Sequence, residues 1–295
     1  ALISMMKRGL PADIITISYC LLSGTFFLAT SYLFNPPKIW SVFDLHIGIF
    51  WPLLGTCLLN IFVQFPNTRA QKYADTALIA SVGAFLPFLG LLPAWLVLGE
   101  SPSESGYVGL LLIAVGIYVT SLSQKIKDPD KVPAWGKTAD GKLRFTAPLA
   151  SLFTNKGVKL AFLATACGAF SVNFDKKSAI LSSFLFAPAV VLLFIGVFGL
   201  VMSIAAKPNL WQKLERKYLP WLLLSGILYF ALNALYWYAF RYGLAIYISS
   251  LKRLHAIFLL PLSYFILKEA VTKDKKYWIG ILLFVGGLFF FTIPN

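Results

Sequence analysis

Charged side chains are scarce. Asp, Glu, Lys and Arg make up 13% of the 295 residues, about half the share in a soluble domain. Residues from AVILMFWYC fill 58% of the chain, and the mean hydropathy is +0.76. Too little polar surface remains to coat a water-soluble fold, so that class is excluded. Histidine occurs only at positions 46 and 255, and cysteine only at positions 20, 57 and 167, all three inside apolar stretches. Without short Cys or His spacings, neither a metal site nor a disulfide framework is supported, and the cysteines read as small hydrophobes. Gly-x-Ser-x-Gly, His-Glu-x-x-His and phosphate-binding glycine loops are also missing. The sequence therefore offers an enzyme no catalytic set, and no cofactor is expected.

What is present is a series of long apolar runs. Spans are predicted near 12–34, 44–64, 74–98, 107–123, 159–174, 179–205, 219–240, 244–267 and 277–293, since about 20 apolar residues cross the hydrocarbon. None alternates with strand period, so the spans are helical and the chain is an all-α membrane protein. The net charge of +14 would suggest nucleic acid in a soluble chain. Here Lys and Arg sit in loops, where they set topology, and the partner is the lipid bilayer, with no nucleic acid. Twenty of them fall on the side of the 125–156 connection and four on the other. That bias puts the connection in the cytoplasm and residue 295 outside.

The two halves resemble each other. NPPKIW ending at Trp40 matches KPNLW ending at Trp211, and Gly55 falls on Gly226. LLPAWLVLGE ending at Glu100 matches LLPLSYFILKE ending at Glu269, and Gly109 and Gly116 match Gly280 and Gly287. An internal repeat follows. Its parts are 1–124 with four spans, a basic connecting loop at 125–157, and 158–295 with five. The span missing from the first half would precede Lys7, so the first helix of a ten-helix arrangement is expected to be absent from this chain. Five spans per half make the second half enter from the opposite side, the inverted repeat of secondary transporters.

Two five-helix halves, each with a fourth helix that carries Pro and ends in Glu, followed by a fifth helix of form G-x6-G, resemble the EamA family of the drug/metabolite transporter superfamily. The resemblance implies ten helices and transport of a small-molecule metabolite through a multi-pass protein, here expected in a prokaryotic cell membrane. It also implies a C-terminus inside, opposite to the charge count. Plastid phosphate translocators, which are similar, carry a Lys-Arg pair in the corresponding helix, and there it binds phosphate.

Lys252 and Arg253 fall near the middle of the 244–267 span, where a charge costs at least about 2.5–3.5 kcal/mol and marks a cavity or a partner. Ser249 shares their helix face, and the repeat alignment sets Ser81, Ala84 and Phe85 opposite Ser249, Lys252 and Arg253. All twelve carboxylates are read in loops or at span ends, Asp175 among them. A substrate with an anionic group follows, since Arg and Lys suit carboxylate or phosphate. Competing readings are lysine snorkelling, with Arg253 bonded to backbone or to Asp175. A second stripe of Tyr229, Asn233, Tyr236, Trp237 and Phe240 reads as a pocket wall or as an interfacial belt. His255 reads as a packing residue, and the four repeat glycines as helix contacts. The expected function is a secondary transporter. The alternatives are a multi-spanning scaffold or sensor without transport, and an exporter of neutral or cationic compounds.

Overall fold

The structure is a computed structural model that describes residues 5–6, 9–34, 47–74, 76–122, 146, 153–252 and 275–291. Among them every regular element is helical. The long helices are α1 (Ala12–Phe34), α2 (Phe50–Tyr73), α3 (Thr76–Gly83), α4 (Leu86–Leu98) and α5 (Glu104–Leu122). They are followed by α6 (Lys156–Leu181), α7 (Phe186–Ala206), α8 (Leu219–Ala239), α9 (Ala245–Lys252) and α10 (Lys275–Phe291). Five stretches are long and apolar enough to cross a membrane: Ala12–Phe34, Leu78–Leu98, Lys156–Leu181, Phe186–Ala206 and Arg216–Ala239. Their outer faces carry bulky apolar groups such as Trp95, Val201 and Leu235, all exposed, while Thr16, Ser23 and Ser171 are buried. This pattern suits lipid as the solvent, because only an apolar exterior is tolerated there and backbone groups must be satisfied within the helix.

Four expected spans differ in outline: the 44–64 stretch is the helix Phe50–Tyr73 and the 179–205 stretch begins at Phe186, while the other two differ in kind. The 74–98 stretch is interrupted at Ala84–Phe85, which form a turn between α3 and α4. Pro87 sits in the first turn of α4, where its missing N–H and its ring would break a continuous helix at Gly83. The 159–174 stretch runs on to Leu181, so Asp175, Lys176 and Lys177 lie within a helix and not in a loop. Polar residues there are carried by a helix that stays hydrogen-bonded along its own backbone.

The chain divides into two compact units, each drawing on both halves of the sequence. The first comprises residues 1–72 and 170–243, the second 73–169 and 244–295. In the first, α1 packs along α7 and α8. Glycines make the approach possible: a Cβ on Gly24 would meet Leu193 at 2.9 Å, and one on Gly226 would meet Leu22 at 2.6 Å. In the second, α5 packs along α10 and against α3, and α9 lies on α4. A Cβ on Gly116 would come within 2.6 Å of the Gly280 carbonyl, and one on Gly287 within 2.6 Å of the Gly109 carbonyl. The four repeat glycines are thus the crossing points of one helix pair, as expected. Since 109 faces 287 and 116 faces 280, α5 and α10 run antiparallel.

Candidate functional site

Helix α2 carries Thr56, Asn60, Gln64 and Thr68 at intervals of four residues. That spacing sets them on one face, a turn apart. In the first unit this face meets polar groups at two levels. At the upper level Thr56 (0% exposed), Asn60 (8%) and Asp175 (7%) cluster with Ser171 of α6. The Thr56 hydroxyl donates to Asp175 Oδ1. Asn60 Nδ2 lies 2.9 Å from Thr56 Oγ1, 2.6 Å from Ser171 Oγ and 3.3 Å from Asp175 Oδ1. Ser171 Oγ is 3.4 Å from the same carboxylate oxygen. Gly55 lets α2 approach here, since a Cβ on it would press the Phe174 ring at 3.1 Å. Lys176, next along α6, is buried and donates to the Gly243 carbonyl at 2.8 Å.

One to two turns further along α2 the partners are aromatic. Tyr19 of α1 donates to Gln64 Oε1 at 3.0 Å and lies 3.4 Å from Thr68 Oγ1. Its ring stands 4.6 Å from that of Tyr229. At the end of the helix Arg69 Nε pairs with Asp13 at 2.6 Å, and Lys207 approaches the same carboxylate at 3.7 Å. A polar face thus runs from buried Asp175 to an exposed ion-pair cluster.

The expected site residues fall into two groups. Tyr229 and Asn233 stand in the polar core of the first unit, with Asn233 Nδ2 donating to the Tyr229 carbonyl at 2.8 Å. Tyr236, a turn beyond Asn233 on α8, is buried with its ring against Phe240 at 4.7 Å. Ser81, Ser249 and Lys252 stand in the second unit. The hydroxyls of Ser81 and Ser249 donate to their own helices, to the Leu78 carbonyl at 2.8 Å and the Ile246 carbonyl at 2.9 Å. Lys252, half-buried, is the last residue of α9. Arg253 and His255 lie outside the described residues.

The second unit holds α9 by its N-terminus. Gly99, at φ 68°, ends α4 in a left-handed turn that only glycine adopts easily. The turn aims Glu100 at the start of α9, where Oε2 accepts from Ala245 N at 2.9 Å. A carboxylate at a helix N-terminus satisfies a free N–H and complements the dipole. The Tyr247 hydroxyl adds a contact to Ser103 N at 3.3 Å.

One expectation is corrected. Asp175 is not in a loop but on α6, six residues before its last residue Leu181, and it is buried, so a carboxylate does lie inside the protein. Asp175 with Thr56, Asn60 and Ser171 went unread, although the four-residue spacing on α2 was there to find. Among the described residues no group of three His, Cys, Asp or Glu could hold a metal ion.

A chain whose described elements are all helical, with several spans and a buried polar face, is a multi-pass membrane protein. Residues 2–122 match the EamA-like transporter family. Over that stretch the resemblance read from the sequence holds, and the family is one of membrane transporters. One solved crystal structure, described only as that of a protein, superposes with a TM-score of 0.67 at 17% identity, covering 99% of this chain and 91% of its own. At that identity the likeness is one of fold. No curated protein matches the chain.

Proposed function

We propose that the chain is a secondary transporter that moves a small metabolite bearing an anionic group across the membrane by alternating access. The observation that carries the substrate charge is the place of Lys252. It is the last described residue of α9, on the Ser249 face and inside a predicted span, and its neighbour in sequence is Arg253. The repeat alignment sets the interruption of α3 and α4 at Ala84–Phe85 opposite these two residues. Interrupted helices at membrane depth are tolerated where they are covered by protein or line a cavity, and transporters use them to bind substrate. Two compact units, each drawn from both halves, supply the two bodies that alternating access requires.

The test is counterflow in proteoliposomes with a panel of labelled carboxylates and phosphates, since only a transporter exchanges label across the bilayer. Lys252→Ala and Arg253→Ala are expected to lower affinity about 30-fold or more, from the roughly 2–5 kcal/mol lost when one partner of a charge-assisted pair is removed. Arg253→Lys should restore only part, because a point charge does not replace a planar fork. Counterflow at wild-type rates in both alanine variants, or a preference for cations, would overturn the substrate charge.

A further inference from the structure

We propose that Asp175 is a proton-binding site coupled to transport and reached along the polar face of α2. The inference rests on the transporter reading for its coupling, but the protonation itself is a property of this site. An ionisable group buried inside a membrane span is costly and marks function by default, most often an ion or proton path.

The polarity of the cluster is set by Asn60. Its amide nitrogen can only donate, and Ser171 Oγ at 2.6 Å, Thr56 Oγ1 at 2.9 Å, the Thr56 carbonyl at 3.0 Å and Asp175 Oδ1 at 3.3 Å share its two hydrogens. Each hydroxyl, having accepted one bond, turns its own hydrogen to Asp175 Oδ1. Both hydroxyl bonds therefore end on one carboxylate oxygen. When the carboxylate is ionised they stabilise its charge. When the carboxyl is protonated, its carbonyl oxygen accepts the same two bonds. One cage thus fits both protonation states, as a group that must load and unload a proton requires. The step is the plain equilibrium of carboxylate plus proton with carboxylic acid.

A route to this group exists in the same unit. Gln64 and Thr68 continue the α2 face a turn at a time, the Tyr19 hydroxyl joins them, and the face ends at Arg69, which is about half exposed, beside Asp13 and Lys207. The charged and titratable side chains described around Asp175 are few. On its own helix Lys176 is engaged by the Gly243 carbonyl and Lys177 is exposed. On the facing helix Cys57 is buried and close enough to sense the carboxylate charge. Further down the face lie the phenols of Tyr19 and Tyr229, and then Asp13, Arg69 and Lys207.

The experiment uses the full chain in two settings. In detergent without substrate, infrared difference spectra across a pH titration should show a carboxylic-acid C=O band that Asp175→Asn removes. Asparagine keeps an oxygen for both hydroxyls, so the cage survives. Ser171→Ala should leave the band but move it to higher frequency, because the carbonyl loses one donor. In proteoliposomes, with a labelled anion that wild-type protein exchanges in counterflow, an imposed pH gradient should accelerate wild-type uptake. Asp175→Asn should keep counterflow and lose that acceleration. A titration with no band that depends on Asp175, an unmoved band in Ser171→Ala, an Asp175→Asn protein still driven by the pH gradient, or uptake driven by sodium in place of protons each overturns the proposal. Failure of wild-type counterflow with every anion would sink the substrate reading instead, and the infrared result would still decide the proton site.

Discussion

Glu100 joins two helices through a hydrogen bond to the start of α9, and its substitution tests what the carboxylate contributes there. Its carboxylate accepts from the first N–H of α9 at 2.9 Å, a charge-assisted bond at a positive helix end. Removing the oxygen leaves that part-buried N–H without this acceptor. Glu100→Ala is expected to destabilise the protein by about 1–2 kcal/mol, and Glu100→Gln by less, since an amide oxygen still accepts but carries no charge. Thermal unfolding in detergent measures both, and an alanine variant as stable as wild type would refute the capping role. Glu100 was visible in the sequence as the end of a repeated motif, but its partner was not. Ala245 lies 145 residues away, and pairing at that distance is decided by the fold. Asp175 was hidden for a different reason. Three consecutive charged residues, Asp175, Lys176 and Lys177, look like a loop to any reading based on hydropathy. The helix continues because each group is satisfied: Asp175 by hydroxyls and an amide, and Lys176 by a backbone carbonyl.

Among the elements, α5 and α10 form the crossing that the repeated glycines anticipate. Gly116 and Gly287 each sit where an added methyl group would lie 2.6 Å from the backbone oxygen of the opposite helix, and that backbone cannot yield as a flexible side chain would. Gly286, on the same helix, has nothing within 4 Å of such a methyl group. Gly116→Ala and Gly287→Ala should therefore cost about 1–3 kcal/mol by overpacking. Gly286→Ala should be neutral, or stabilise by up to about 1 kcal/mol through helix propensity. Equal effects at positions 286 and 287, read by unfolding of the purified protein, would contradict the crossing. These positions were legible because small residues seven apart mark one helix face in any helix. The break between α3 and α4 was less so. Apolar residues flank Pro87 on both sides, and hydropathy averages across it. Pro93, the motif proline, lies inside α4 without ending it, so proline alone does not say where a membrane helix stops.

At the scale of the whole molecule, similarity along the sequence and contact in space are different things. The repeat pairs α5 with α10 and, at the same offset, α1 with α7, and the fold pairs both by contact, whereas α1 also packs on α8, which the repeat makes the counterpart of α2. A repeat argument reports which helices are alike, and only the packed structure reports which touch. Orientation is a property of the whole chain that loop charge predicts. The Lys and Arg bias places the 125–156 connection in the cytoplasm, and the five predicted spans that follow carry residue 295 to the other side. Two of the four residues counted on that other side, Lys176 and Lys177, are in α6 and not in a loop. By the same rule Arg69, Lys72, Lys156, Lys159, Lys275 and Lys276 lie in α-helices on the side of the connection, and fourteen against two remain, so the bias stands. A reporter active only in the cytoplasm should therefore work when inserted between residues 131 and 140 and stay silent when fused after Asn295. The family resemblance implies the reverse for the C-terminus, so the fusion decides between the two arguments. Activity after Asn295 would show that the long connection is held outside against its charge.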